Sequence, residues 1–193
     1  MQVTKWSLLK LTAKVFDPLG LLSPVTITMK SHFHSLCLDK LDWDVELQGN
    51  HQRLWKNFES SLFQLSTSLL RVPRCYFTSP STPTDIQIYA CSDASKKAYA
   101  VAIYLRIEYE DGSVEVKFLP SKTRVLPIKQ QVIPRSKLSG ALIATRRVSS
   151  LLKSLPREIK PTFWVDSTTI LCWNLHTSSK REFIPASVSS IFK

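Results

Sequence analysis

Apolar residues recur at helical spacing through the first third of the chain and alternate at strand spacing further on. Three helices are predicted, over about residues 3–16, 23–39 and 48–70. The segment Asp17-Pro18-Leu19-Gly20 is typical of a turn after the first helix. Ser23 followed by Pro24 is typical of the N-cap and first position of the second. Residues 1–78 are therefore predicted to form a helical segment.

The pattern after residue 84 predicts a second, α/β domain, over about residues 85–193. A loop with two prolines at 79–84 marks the boundary. Strands are predicted at 86–93, 99–110 and 113–119, with Asp111-Gly112 as the hairpin turn between the last two. After a proline-bearing connection at 120–134, a long helix at 137–155, a short strand at 162–166 and a short helix at 168–176 follow. This order predicts an α/β layer with an antiparallel hairpin on one side.

Composition narrows the class of protein. The chain has 193 residues and is 44% hydrophobic, which is ample for a folded core. No apolar run approaches the ~20 residues of a membrane span, and the first residues do not have the pattern of a signal peptide. The four cysteines are scattered, with no Cys-x-x-Cys pair. We therefore expect an intracellular protein, cytoplasmic or nuclear, that is neither secreted nor membrane-bound.

Positive charge is concentrated in the second half of the chain. The net charge is +11, and between Lys117 and Arg157 there are ten Lys or Arg residues and no Asp or Glu. A stretch of one sign that long favours a polyanion such as nucleic acid, although a solvated basic face without a ligand has the same composition. The candidate nucleic-acid-binding residues are Lys122, Arg124, Lys129, Arg135, Arg146 and Arg147.

Two predicted strands deliver an aspartate at their ends, Asp93 and Asp166. Carboxylate oxygens are the ligands that Mg²⁺ prefers, together with phosphate oxygens of a substrate. A two-metal site for phosphodiester chemistry needs more than two carboxylates, because the two cations repel each other. Asp at a strand end is also common as a cap or turn residue, so the spacing alone leaves both interpretations open.

Six stretches, in order, resemble the polyprotein of BEL/Pao long-terminal-repeat retrotransposons, in the region labelled Pao retrotransposon peptidase. They are residues 13–25 (AKVFDPLGLLSPV), 40–44 (KLDWD), 92–99 (SDASKKAY), 121–125 (SKTRV), 133–135 (IPR) and 164–168 (WVDST). The resemblance covers nearly the whole chain. It implies the region after the reverse transcriptase, followed by an incomplete ribonuclease H-like mixed sheet with helices, truncated at the C-terminus.

The resemblance also implies a function and a site. The ancestral activity is hydrolysis of RNA in RNA–DNA hybrids with Mg²⁺, and Asp93 and Asp166 match two of the four metal ligands. The family's helix-borne Glu is replaced by Lys137, and the last carboxylate falls beyond Lys193. We therefore expect a polyprotein fragment with a degenerate catalytic site and no bound metal. Its expected partners are an RNA–DNA hybrid or other nucleic acid, and other parts of the polyprotein.

Three alternatives remain at this point. The chain is a co-opted, non-catalytic nucleic-acid-binding module, or an incomplete gene product of a full polyprotein, or an aspartic peptidase as the family label suggests. The last is disfavoured because neither Asp93-Ala94-Ser95 nor Asp166-Ser167-Thr168 ends in the Gly of a peptidase Asp-Thr/Ser-Gly turn. If the site is degenerate, the Lys137 ammonium is expected to lie beside both carboxylates as their counter-charge.

Overall fold

A computed structural model describes residues 2–67, 75–128, 131–155 and 159–167. The chain divides into two compact units, Met1–Cys75 and Tyr76–Lys193. The predicted helix at 168–176 and residue Lys129 lie outside the described residues. None of the helices in the described ranges is both long enough and apolar enough to span a bilayer.

The described part of the first unit contains three helices, α1 (Lys5–Lys14), α2 (Ser23–Leu38) and α3 (Gly49–Thr67). Thr4 caps α1, since its hydroxyl accepts from the Ser7 amide while the Ser7 hydroxyl accepts from the Thr4 amide. The prediction that Ser23 is the N-cap of α2 is wrong, because the cap is Leu22, which makes no side-chain bond. The backbone amides before α2 are satisfied instead by Asp17, whose carboxylate accepts from Leu21 and Leu22.

The core of the helical unit is small, and two polar arrangements lie at its edge. Its fully buried apolar cluster is Leu8, Leu36 and Leu47. Beside it the Lys5 ammonium donates to the Leu41 carbonyl and lies 4.7 Å from the centroid of the Trp43 ring. A cation–π contact and one hydrogen bond thus replace part of the hydration that burial removes from this lysine.

The second arrangement joins α2 to α3 through two histidines. The His32 and His51 rings are stacked with centroids 5.5 Å apart, and His51 Nε2 lies 3.0 Å from an Asp39 carboxylate oxygen. His32 Nε2 and His51 Nδ1 are buried without a hydrogen-bond partner. Burial, and secondly the neighbouring His51, lowers the pKa of His32 below its ordinary value. The sequence pattern did not indicate this pair, since the two residues are separated by the α2–α3 loop.

In its described residues, the second unit is built on a four-stranded mixed sheet. Its strands are β1 (Pro83–Ala94), β2 (Ala98–Tyr109), β3 (Val114–Val125) and β4 (Pro161–Val165), in the order β3-β2-β1-β4. The first three strands are antiparallel, and β4 runs parallel to β1. Gly112, with φ of 76°, makes the predicted hairpin turn. The α/β prediction is confirmed, but β3 extends to Val125, well into the expected connection.

Helix α4 (Ile133–Leu152) crosses one face of the sheet and packs on β1 and β2. Its residues Ala144 and Val148 join Ile88, Ile103 and other inward-facing strand residues in the main core. The side of α4 that faces the sheet consists mostly of small residues: Gly140, Ala141, Ala144 and Thr145 are buried, whereas Leu138 and Leu142 are half-buried. Small residues face the sheet here because they let the helix backbone approach it closely.

The stacked histidines predict that acid weakens the packing of α2 against α3. Because the pKa of His32 is depressed in the folded chain, the unfolded chain binds its proton more readily. The stabilising effect of a neutral His32 is therefore complete above the unfolded pKa of about 6.5 and is lost as pH falls below it. Protection of α2 and α3 amides against hydrogen exchange, corrected for intrinsic rates, should decrease between about pH 7.5 and 5.5.

Substituting His32→Phe retains a stacking ring that does not titrate, and should flatten this pH dependence. The matched control is His34→Phe, on the same helix but outside the stacked pair, which should keep the dependence of the unaltered chain. Equal protection at both pH values in the unaltered chain would contradict the assignment.

Candidate functional site

Asp93 and Asp166 lie at the same edge of the sheet, on neighbouring strands. Cys91 pairs with Trp164 and Ser92 with Val165 in the parallel β1–β4 register. Asp93 and Asp166 are the next residues on each chain segment, the first in β1 and the second directly after β4. Their side chains are 72% and 57% exposed. Parallel strands thus bring two carboxylates together that are far apart in sequence, as their positions at predicted strand ends suggested.

The Lys137 side chain reaches both carboxylates from α4. Its Nζ donates to Asp166 Oδ2 at 2.6 Å and lies 3.9 Å from Asp93 Oδ1. The predicted helix start at residue 137 is wrong: α4 begins at Ile133, and Lys137 is its fifth residue. The helix dipole acts mainly within the first turn, so the contacts of this lysine depend on the two aspartates rather than on the helix end.

Gly140 explains why Lys137 is close enough to make these contacts. A Cβ atom at this position would lie 3.4 Å from the Asp93 carbonyl oxygen and 3.8 Å from that of Ala100. The space admits a methyl group but little more, so the helix backbone here lies almost against the strands. Lys137 is one turn earlier on α4 and is thereby held over the ends of β1 and β4. An isolated Gly in an otherwise helical pattern is the sequence signal that could have indicated this close approach.

The electrostatics of the site follow from these three charges. Two carboxylates and one ammonium leave a local charge of −1, and Lys137 separates the two negative groups. Asp93 Oδ1 also accepts from the Ala94 amide at 2.6 Å, which fixes the orientation of that carboxylate. Since both aspartates are mostly exposed, solvent screens the ion pairs, and each is expected to stabilise the fold by no more than about 1 kcal/mol.

The candidate nucleic-acid-binding residues are spread over β3 and α4. Arg124 is exposed near the end of β3, and Lys122 is half-buried two residues earlier. On α4, Arg135 and Arg146 are exposed and Arg147 is half-buried. Arg135 and Arg146 are eleven residues apart, which puts them on the same helix face at about 16 Å along the axis. The helix thus presents two guanidinium groups on one side.

Within the ranges that the structure describes, no three His, Cys, Asp or Glu side chains are grouped so that they could bind a metal ion. The three charged residues Asp93, Asp166 and Lys137, which the sequence predicted as the site, are grouped at the ends of β1 and β4.

A mixed sheet that starts with an antiparallel β1–β2–β3 meander, followed by a crossing helix and a strand parallel to β1, is an α/β fold of the ribonuclease H-like class. The sequence matches the family model described as Pao retrotransposon-like RNaseH-like domain over residues 4–167. The match extends over most of the chain, and the protein belongs to this family, as its motifs indicated. Comparisons with curated proteins and with solved structures found no match.

A double-mutant cycle should separate the two ion pairs of Lys137. Combining Lys137→Met with Asp166→Asn is expected to give a coupling of about 0.2–1 kcal/mol in the free energy of unfolding, the range of exposed pairs. The matched cycle with Asp93→Asn should give a smaller coupling, because the 3.9 Å separation is too long for a hydrogen bond. Denaturant unfolding measures both. Equal couplings, or a larger one with Asp93, would contradict the geometry.

Proposed function

We propose that this chain is the ribonuclease H-like region of a Pao retrotransposon and that it binds nucleic acid, including RNA–DNA hybrid, without cleaving it. The observation that supports this most directly is the position of the Lys137 ammonium, 2.6 Å from Asp166 and 3.9 Å from Asp93. An ammonium there replaces a divalent cation as the counter-charge of the two carboxylates.

The donor set of the site does not fit Mg²⁺. This ion takes near-octahedral oxygen ligands at about 2.0–2.1 Å and is usually held by carboxylates together with substrate phosphates. Asp93 and Asp166 supply oxygens, but the third group, Lys137, has no lone pair when charged and repels a cation brought between the aspartates. The proposal therefore includes no metal-dependent step, and the family's hydrolytic reaction is taken as ancestral.

The charge of the chain supports retention of nucleic-acid affinity. Lysines and arginines that neutralise phosphates release counterions, which favours binding to any polyanion irrespective of sequence. Arg135 and Arg146 lie on one exposed face of α4, the helix that also carries Lys137. Arg135 and Arg146 are about 180–200° around the helix from Lys137, so this basic face is on the side of α4 that points away from the sheet.

The proposal predicts that the site neither binds a divalent metal ion nor cleaves RNA. The full chain should not cleave the RNA strand of a hybrid with Mg²⁺ or Mn²⁺, and calorimetry should detect no binding of either ion at the site. Lys137→Glu replaces the ammonium by a third carboxylate and should create measurable Mn²⁺ binding, since three carboxylates then converge. The matched control is Ser150→Glu, an exposed position further along α4, which should leave metal binding unchanged.

If the unaltered chain cleaves the RNA strand and Asp93→Asn abolishes that cleavage, the non-catalytic part of the proposal is wrong. Lack of Mn²⁺ binding by a folded Lys137→Glu variant would show instead that the replacement of Glu by Lys is not what excludes the metal.

The proposal also predicts how binding to an RNA–DNA hybrid depends on salt. The logarithm of the association constant should fall linearly with the logarithm of salt concentration. The double variant Arg135→Gln, Arg146→Gln should weaken binding and reduce that slope by about 1–2, since each removed guanidinium leaves about one phosphate without its counter-charge. Lys56→Gln, which removes an exposed charge from α3, is the control and should change neither value. Binding that does not respond to salt would contradict the role of the basic face.

A further inference from the structure

Strand β3 is an edge of the sheet, and its first half is both long enough and apolar enough to pair with another strand. The sheet order β3-β2-β1-β4 puts no described strand beyond β3. Val114 and Val116 are 47% and 61% exposed, although valine is a residue that usually packs in a sheet. Exposed edges of this kind are templates for pairing unless they are shortened, charged or covered.

The outward backbone groups of this edge can be assigned from the hairpin register. Tyr109 donates its amide to the Ser113 carbonyl at the end of the hairpin. Hydrogen-bonded and non-hydrogen-bonded pairs alternate along an antiparallel ladder. The pairs Ile107–Glu115 and Leu105–Lys117 therefore bond inward. Val114, Val116 and Phe118 direct their N–H and C=O groups away from β2.

The sequence of this edge is complementary to itself in one antiparallel register. When two copies of residues 114–118 (VEVKF) pair about a two-fold axis at Val116, Val116 faces the partner's Val116 and Val114 faces the partner's Phe118. In the same register Glu115 lies opposite the partner's Lys117, and the reciprocal pair follows by symmetry. Opposite charges in directly facing positions stabilise a strand pair. Val114, Val116 and Phe118, whose backbone N–H and C=O groups point away from β2, are the residues that form hydrogen bonds to the second copy in this register.

The side chains next to the edge extend this complementarity. Glu115 and Lys117 of one chain are 3.3 Å apart on the α4 side of the sheet, so two copies would align four alternating charges. On the opposite face Phe118 packs edge-on against Tyr104, with ring centroids 5.5 Å apart. Joining two sheets at Val116 would make these aromatic pairs part of one continuous apolar strip.

We propose that the chain forms a symmetric homodimer by antiparallel pairing of β3 with β3 of a second copy, centred on Val116. The proposal does not rest on nucleic-acid binding. It has its own salt dependence, because each copy carries a net charge of +11 and the two repel each other. Salt screens that repulsion, so dimerisation should strengthen with salt while nucleic-acid binding weakens.

The test is sedimentation analysis of the full chain over a range of concentrations up to hundreds of micromolar. The unaltered chain should show a monomer–dimer equilibrium. Val116→Lys puts two ammonium groups at the axis and should raise the dimer dissociation constant at least ~10-fold. Ile128→Lys is the matched control, since Ile128 is 58% exposed and lies outside β3; it adds the same charge and should leave the equilibrium almost unchanged.

A mixture of the Val116→Lys and Val116→Glu variants provides a positive test that does not depend on loss of folding. Each variant alone repels its own copy, but the two charges attract in a heterodimer, which should form more readily than either homodimer. If the unaltered chain stays monomeric at every concentration, the proposal is wrong, and the β3 edge would then be open to pairing with a strand of a different protein. A dimer that survives Val116→Lys, or a mixture that stays monomeric, overturns the assignment to β3.

Discussion

The close crossing of α4 over β1 and β2 is the constraint on which the ribonuclease H-like unit depends. Gly140 lets the helix backbone approach the carbonyl oxygens of Asp93 and Ala100, and the small residues around it bury against the sheet. One turn before this contact, Lys137 is held over the ends of two parallel strands. The same packing that fills the core therefore decides which side chain faces the two aspartates.

The charge that this crossing delivers accounts for the proposed change of function. With a carboxylate at position 137, the helix would complete a cluster of three acidic groups, whose mutual repulsion a divalent cation relieves. With Lys137 the repulsion is relieved within the chain, by an ammonium 2.6 Å from Asp166. The fold loses little by this exchange, because partly exposed ion pairs have small energies.

The two outer strands of the described sheet, β3 and β4, differ in the groups that they carry. The β4 side carries Asp166 beside Asp93 and Lys137, and the β3 side has outward backbone groups and exposed valines. If two copies pair through β3, the strands β1 and β4 of each copy, with their carboxyl ends, lie away from the dimer interface. A dimer formed in this way would present two α4 helices, each with the exposed Arg135 and Arg146, which is compatible with simultaneous contact to one polyanion.

Much of this was accessible from the amino-acid sequence. Hydrophobic periodicity predicted the three early helices, the hairpin at Asp111-Gly112 and the long helix within a few residues, since these features depend on neighbours in the chain. The motifs around Asp93 and Asp166 indicated the family and, with it, the fold. Where local patterns were ambiguous the prediction was wrong: Leu22 rather than Ser23 caps α2, and α4 begins at Ile133, one turn before the predicted start at residue 137.

The sequence by itself determined the elements, the family and the identity of the three charged residues, because each follows from local pattern or from motif order. Only the tertiary structure decided that Lys137 contacts Asp166 more closely than Asp93, that His51 stacks on His32, and that Val116 is exposed on β3, beyond which the described residues form no further strand. These depend on strand register, on the distance between a helix and the sheet, and on which strand is outermost. Such quantities join residues that are distant in the chain, and no local pattern encodes them.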